Sequence, residues 1–363
     1  MNIVKSTEEY ESWLSGYTTI NRADLDKKHD DMSNAAFTFL RATFYRWARA
    51  WTKRCKELSD APKVLAVGDL HVENFGTWRD AEGRLIWGIN DFDEACPMSY
   101  AIDLVRLAVS ASLAIKASHI GLSLPDACKS IIEGYHESLN SGGKPFVLEE
   151  EHPWLRAAAT GSLRDPGEYW RKLKKLPAAT DVPANAVETL TQVLPASDIP
   201  FRIVRRIAGE GSLGRQRFVA LAEHNGGLIA REIKSLVPSA AVWANNPLSS
   251  NEIFYNAIVE ASVRCRDPFL AIRGKWVARR LAPDCSKIEL AQLAPIKEEL
   301  RLMRAMGWET ANIHLGSPKA VPDVARHLAG QPANWLIDAV KIMEDAVIKD
   351  WKEWREANPA REK

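Results

Sequence analysis

Apolar positions along the chain change their period several times, and each change marks an element. Between Ser33 and Trp51, Phe37, Leu40, Phe44, Trp47 and Trp51 recur at helical spacing, with Ser33 as candidate N-cap. Val64-Leu65-Ala66-Val67 is a short β-prone run ending at Gly68. Thr77-Trp78 and Leu85-Ile86-Trp87-Gly88-Ile89 flank Asp80-Ala81-Glu82-Gly83, the pattern of a hairpin turn. After Pro97, Leu104, Leu107, Ala108, Ala111 and Ile115 return to the helical period, and helical texture continues through Tyr135. Residues 140–200 are punctuated by prolines, from Pro145 to Pro200, which predicts short helices joined by loops.

A second β-rich stretch follows Pro200. Ile203-Val204 leads into a glycine-rich turn and then Phe218-Val219-Ala220-Leu221, and Asn225-Gly226-Gly227 turns the chain into Leu228 to Lys234. A helix is expected from Ser249 or Ser250 to Cys265, with strands at Trp276-Val277-Ala278 and Ile288-Glu289-Leu290. From Ala294 the pattern is mainly helical. The last helix sets Leu336, Val340, Met343, Val347, Trp351 and Trp354 on one face, with Asn334 as cap.

Composition narrows the class. The 363 residues would fill two or three ordinary domains, and 46% apolar with 26% charged residues is the make-up of a folded globular chain. Lys plus Arg number 48 and Asp plus Glu 47, for a formal charge of +1. That balance argues against a dedicated nucleic-acid or acidic-lipid binder, which carries excess basic residues. The five cysteines form no CxxC pair, so neither a zinc knuckle nor a disulfide framework is indicated. No signal-like N-terminus and no apolar run of about 18 residues is present. The best candidate, Leu104 to Ile115, contains Arg106. The expectation is a reduced, cytoplasmic protein with no membrane or nucleic-acid partner. The 13 dispersed tryptophans read as core anchors.

The densest polar constellation is Gly68-Asp69-Leu70-His71-Val72-Glu73-Asn74, followed by Asn90-Asp91-Phe92-Asp93-Glu94. Each segment directly follows a β-prone run and a hairpin separates them, so Asp69, Asn74 and Asp91 can converge. Two carboxylates and an amide oxygen suit Mg²⁺, a hard ion that needs few protein ligands, and one acidic group is free to accept a proton. The plain alternative is that these residues only cap turns. Two such segments on either side of one hairpin favour the converging reading.

The second constellation is Gly209-Glu210-Gly211-Ser212-Leu213-Gly214. A Rossmann turn opens into a helix, whereas Arg215 to Leu221 looks like a strand. A glycine turn between two strands is the phosphate-covering loop of protein kinases, and Gly209, Gly211, Ser212 and Gly214 would form it. The next strand ends at Lys234, where a kinase needs a lysine on the α and β phosphates. Taken alone, Lys234 would be an ordinary solvated strand residue.

On these residues the chain resembles a known group. Gly68 to Asn74 looks like the catalytic loop of aminoglycoside-phosphotransferase-type kinases, Asn90-Asp91-Phe92-Asp93 resembles their metal-binding segment, and Tyr100-Ala101-Ile102-Asp103-Leu104 resembles the helix start that follows. The whole chain is similar to an uncharacterised bacterial family, domain of unknown function 2252, through GDxHxxNFG (to Gly76) and the later glycine loop with its lysine strand. Phe37-Thr38-Phe39-Leu40-Arg41 also resembles that family, with Ala42 where a glycine is expected.

The order of parts is inverted, since Asp69 precedes Gly209 by 140 positions. The resemblance therefore implies an α+β, two-lobed, protein-kinase-like fold that is circularly permuted. A mainly helical catalytic lobe would combine residues 1–200 with C-terminal helices from 291–363, and a β-rich nucleotide-binding lobe would occupy 201–290. By the same resemblance Asp69 would accept or orient the proton of the attacking hydroxyl, and Asn74 and Asp91 would hold Mg²⁺. The glycine loop and Lys234 would hold the phosphates of ATP. Asp103 would brace the catalytic loop, and His71 would orient it. Asp93 would be a second metal contact or a helix cap.

Three departures follow. Glu232 shares a strand face with Lys234, where kinases place a small residue against adenine. The lysine's glutamate partner is either Glu252 or Glu260. No APE-like segment follows Asp91, which disfavours a conventional protein kinase. The expected activity is ATP- and Mg²⁺-dependent phosphotransfer to an unknown small-molecule or protein acceptor. Nucleotidyl (AMP) transfer on the same fold and a nucleotide-binding pseudokinase scaffold are the alternatives. A metallophosphoesterase ranks last, because no further GDxxD or GNHD-like segment supplies a second metal.

Overall fold

Short β-prone runs separated by long helical stretches give a mixed α+β chain. The computed structural model describes residues 1–118, 121–161, 165–245, 251–285 and 297–359. Five helices come first: α1 (Ile3–Ser15), α2 (Arg22–Asn34), α3 (Ala36–Ala42), α4 (Phe44–Arg54) and α5 (Lys56–Ser59). Strands β1 (Lys63–Ala66), β2 (Phe75–Arg79), β3 (Leu85–Ile89) and β4 (Cys96–Ser99) follow, then α6 (Tyr100–Ser118) and α7 (Leu124–Ser141). Next come β5 (Phe146–Val147), α8 (Pro153–Gly161), α9 (Pro166–Lys174) and α10 (Ala184–Gln192). The second β-rich part holds β6 (Phe201–Arg205), β7 (Arg217–His224), β8 (Gly227–Ser235), α11 (Ala240–Asn245), α12 (Tyr255–Ala261), β9 (Ala271–Arg273) and β10 (Trp276–Leu281). The chain closes with α13 (Lys297–His314), α14 (Val321–Ala329) and α15 (Trp335–Ala357).

The strands pair into three antiparallel sheets among the described residues: β1-β4, β2-β3-β5 and β6-β7-β8-β10-β9. The hairpin around Asp80–Gly83 joins β2 to β3 as its alternation predicts. Helix α6 is the centre of the helical body. Its residues Tyr100, Leu104, Val105, Leu107, Ala108, Val109 and Ala111 are fully buried, because α3, α7, α13 and α15 all pack around it. A helix enclosed on every side is apolar all round. Its two internal charges, Asp103 and Arg106, are therefore held by partners rather than by water.

The five-stranded sheet carries a helix on each face. Ala186 and Leu190 of α10 pack on Phe218, Ala220, Ile233 and Trp276, and Leu173 of α9 packs with Val219, Leu221 and Ala230 on the opposite face. Residues 177–179 add an outer partner to β6, with Ala178 bridging Val204. Helices α9 and α10 thus pack on the sheet, within the span of residues 1–200 that the resemblance gives to the helical lobe.

Other departures have local causes. The single helix expected from Ser33 to Trp51 is three, broken where Ala35 is extended (φ −151, ψ 147) and at Thr43 (φ −126, ψ 40). Thr43 Oγ1 donates to Phe39 O (2.6 Å), a side-chain bond that competes with the helical ladder. Ser33 caps nothing; it lies inside α2 and its hydroxyl reaches His29 O and Asn358 O. The helix expected up to Cys265 is limited to Tyr255–Ala261. Its proposed starts at Ser249 or Ser250, and the strand at Ile288–Leu290, lie outside the described residues. Asn334 precedes α15 without a side-chain cap bond. Among the described residues no helix is long and apolar enough to cross a membrane.

Candidate active site

The loop after β1 is set by backbone requirements. Gly68 has φ +83, and a Cβ there would lie 2.5 Å from Glu94 O, so only glycine fits. Asp103, fully buried in the first turn of α6, accepts from the N–H groups of Val67 (2.7 Å) and Gly68 (2.8 Å). Its Oδ2 also meets His314 Nε2 at 3.0 Å, and His314 Nδ1 meets the Tyr135 hydroxyl at 2.9 Å. A chain from α7 through α13 to α6 thereby fixes where Asp69 begins.

Asp69 sits on a buried cation. Arg106 is fully buried, and its Nε (2.9 Å) and Nη2 both donate to Asp69 Oδ1. The guanidinium also bonds Leu40 O (2.8 Å) and lies over the rings of Phe44 and Trp47. Burial pushes the Asp69 carboxyl above its ordinary value, while Arg106 and then Arg41 pull it down. With Oδ1 committed, Oδ2 faces the glycine loop, and a Cβ on Gly211 would lie 3.3 Å from it.

Asn74 staples the two acidic segments together. Its Nδ2 donates to Asp69 O (3.2 Å) and Asp91 O (3.0 Å), and its Oδ1 accepts from Asp91 N–H (2.9 Å). Two carbonyls and one N–H fix the amide orientation, because a flip would oppose like with like. The oxygen that the resemblance gives to a metal is thus already holding the backbone of Asp91. His71 accepts from Glu73 N–H through Nδ1 (3.2 Å) and lies edge-on to Phe37, an orienting place in the loop.

Across the cleft, β8 delivers Lys234. Its ammonium is buried and contacts Asp91 Oδ2 at 3.0 Å and Asp93 Oδ2 at 2.6 Å. These acidic partners come from the loop after β3, not from the region of α12. Glu252 and Glu260, the two expected partners, are both exposed. Nor does Asp93 cap a helix: β4 intervenes before α6, and the carboxylate serves Lys234 and Arg215 instead. Burial alone would raise the Asp91 carboxyl, but Lys234 and Arg279 hold it well below the usual carboxylate range. Burial and the Asp91 charge push Asp93 the other way. Its Oδ1 is buried with no hydrogen-bond partner. Arg215, one residue past Gly214, reaches Asp93 (3.4 Å), Glu94 (3.2 Å) and the Tyr10 hydroxyl (3.4 Å), pinning the glycine loop to this segment. Burial pushes Glu94 up to about 7 against the pull of Arg215.

The glycine loop is closed over Asp69. Gly209 (φ +79) and Gly214 (φ +93) need left-handed backbone, and between them Glu210–Ser212 form one turn of 3-10 helix. Ser212 Oγ accepts from Arg217 (2.8 Å) and donates to Gly209 O (3.3 Å). The N-terminal helices press on the outside: Asn21 N–H donates to Gly214 O (2.8 Å), Asp24 pairs with Arg205, and the buried Lys28 ammonium lies 3.5 Å from Gly211 O. Desolvation drives Lys28 down to about 8.

Glu232 does not pair with Lys234. Arg206 (2.6 Å) and Arg217 (2.7 Å) grip its carboxylate on the sheet face that also carries Lys234. Burial would raise its pKa, but these arginines hold it down to about 2.

Together the two constellations enclose one cavity of about 110 Å³. Asp69, Asn74, Asp91 and Asp93 line it from one side, and Gly209, Gly211 and Ser212 from the other. Arg41, Arg215 and Arg279 join them. Sequence reasoning assigned none of these three arginines, nor Arg106, to the site. Arg106 did signal itself, as a charge inside an apolar helical run. Among the described residues no three acidic, histidine or cysteine side chains form a preformed metal cage.

Residues 22–161 match the model of a family described as uncharacterised proteins conserved in bacteria, DUF2252. That span carries α2 through the acidic segments and stops before the glycine loop. Searches of curated proteins and of solved structures found no match.

Proposed function

We propose that the chain is a Mg²⁺-dependent phosphotransferase with a permuted, kinase-like division of labour, acting on an unidentified acceptor. The observation that carries this reading is the meeting of Lys234 with Asp91 at 3.0 Å, across 143 positions, beneath a glycine loop that covers Asp69. In protein kinases the lysine stands on the third strand, counting the glycine loop's first strand as one, and pairs with a helix glutamate while a separate aspartate holds Mg²⁺. In this chain Asp91 and Asp93 stand against the lysine instead. Here Lys234 stands on β8, the third strand of the five-stranded sheet.

The residues fit a phosphate and its metal. Mg²⁺ is held by one or two carboxylates plus substrate phosphates, and Asp91 and Asp93 supply two, one with an unpartnered oxygen. Bound there, the ion would neutralise phosphate charge. The chain's own groups would do the rest. Lys234 would exchange its contacts with Asp91 for phosphate oxygens, and the glycine-loop N–H groups would face the same oxygens. Asp69 Oδ2 would orient the acceptor hydroxyl or take its proton, with Arg106 fixing the other oxygen. A cavity of about 110 Å³ is far below the several hundred Å³ of a drug-sized ligand site, so a donor can enter only when the glycine loop lifts from Asp69.

Nucleotidyl transfer draws support from one observation, the Arg206–Glu232–Arg217 cluster on the strand face of Lys234, where the resemblance expects a small residue against adenine. Incubation with γ- and α-labelled ATP over a broad acceptor set separates the two. Transfer of the γ label supports phosphotransfer, transfer of the α label supports nucleotidyl transfer, and transfer of neither contradicts both.

A further inference from the structure

Resting on the phosphotransferase reading, we infer that the donor is a nucleotide whose base sits in a cavity between α9 and the end of β6, beside the phosphate site rather than inside it. The cavity measures about 380 Å³, within the range of small-molecule sites. Tyr169 and Leu173 of α9, with Leu176 just after it, supply an apolar wall, and Ile207 adds to it from beyond β6. The exposed Asp165, Glu168 and Lys172 edge it. An aromatic and aliphatic wall with a few polar groups at its margin is the lining such a ligand needs. Ile207 is 49% exposed, and a base laid against it would take apolar surface out of water.

The place of this cavity ties it to the phosphates. Arg206 lines it and also grips Glu232, which lies two residues before Lys234 on the same strand face. Arg205 pairs with Phe218 and Lys234 with Arg217, so Arg206, Arg217 and Lys234 follow one row across the ends of β6, β7 and β8. Two strand spacings separate the ends of that row, about 10 Å. In a nucleotide the ribose and the α-phosphate bridge a gap of this kind between the base and the β-phosphate. Arg206 spends Nη1 on Glu232, and the other N–H groups of its fork suit the α-phosphate.

The wall is built on the sheet and not on the glycine loop. Leu173 shares a cluster with Val204, Val219 and Leu221. Just past Leu176, Pro177 O accepts from Arg205 N–H (3.1 Å), and Ala179 N–H donates to Ile203 O (3.0 Å). The loop can therefore lift at Gly209 to admit the phosphates while α9 stays in place to receive the base.

Calorimetric titration of the whole chain in Mg²⁺, with ATP and with inorganic tripolyphosphate, tests this. ATP should bind at least about tenfold tighter than tripolyphosphate, and Tyr169→Ala should weaken ATP by about fivefold or more. Ile207→Ser, at an exposed position outside the core, should weaken ATP in the same direction. Tripolyphosphate affinity should stay within about twofold of wild type in both variants. ATP no tighter than tripolyphosphate would overturn the inference and leave the phosphotransferase reading standing. ATP that is tighter but untouched by either variant would seat the base elsewhere, with the same consequence. Equal weakening of both ligands would show the wall acting on the phosphates and not on a base, which also overturns the inference. Binding of neither ligand would overturn the phosphotransferase reading, and the inference with it.

Discussion

Asp69 is held by a cation on one oxygen and open on the other. That division separates binding from chemistry. Asp69→Asn keeps the shape and should cut turnover by about 10²–10⁴, the usual contribution of a positioned base, while sparing donor binding. Steady-state kinetics beside calorimetry reads both, and unchanged turnover would remove Asp69 from the role. Lys28 gives a test of stability. Its folded pKa, about 8, lies below the ordinary 10.5, so its contribution is present above pH 10.5 and is lost as pH falls through 8. Lys28→Met removes that burden and should stabilise the protein at pH 7 by on the order of 3 kcal/mol, with the gain shrinking towards pH 10. Thermal melts at both pH values check the sign. An equal gain at both would mean that packing, not charge, is responsible.

At the scale of elements, α2 is a clamp on the glycine loop, through Asn21, Asp24 and Lys28. Asp24→Ala should speed amide hydrogen exchange in residues 209–214 while leaving β7 and β8 protected, because the sheet is held independently by α9 and α10. Unchanged exchange in the loop would show that the clamp lies elsewhere. The elements themselves were legible where the pattern was local. The hairpin around Asp80–Gly83, the glycine turn between strands and the strand ending in Lys234 all follow from alternation and turn residues. The break at Thr43 leaves no such trace, since the apolar spacing from Leu40 to Phe44 runs straight across it. Strands β4 and β5 are only four and two residues long, too short to show a period. The covering of the sheet by α9 and α10 is a tertiary fact that proline-rich spacing does not encode.

For the whole molecule, the near-zero net charge means that, on the proposed reading, phosphate would have to be met by local groups. The structure gathers them from distant parts of the chain: Arg41 from α3, Arg106 from α6, Arg215 from the glycine loop, Lys234 from β8 and Arg279 from β10. The two motif segments were readable because each is contiguous. The arginines were not, because their partners lining the site lie 32 to 189 positions away and only folding brings them together. The central claim is that both halves form one Mg²⁺-dependent phosphate site. Its most direct measurement is tripolyphosphate affinity, with and without Mg²⁺, for the wild type, Asp91→Asn and Lys234→Ala. The account predicts binding that needs Mg²⁺ and falls at least about tenfold in each variant. Wild-type affinity in both variants, or binding indifferent to Mg²⁺, would contradict it.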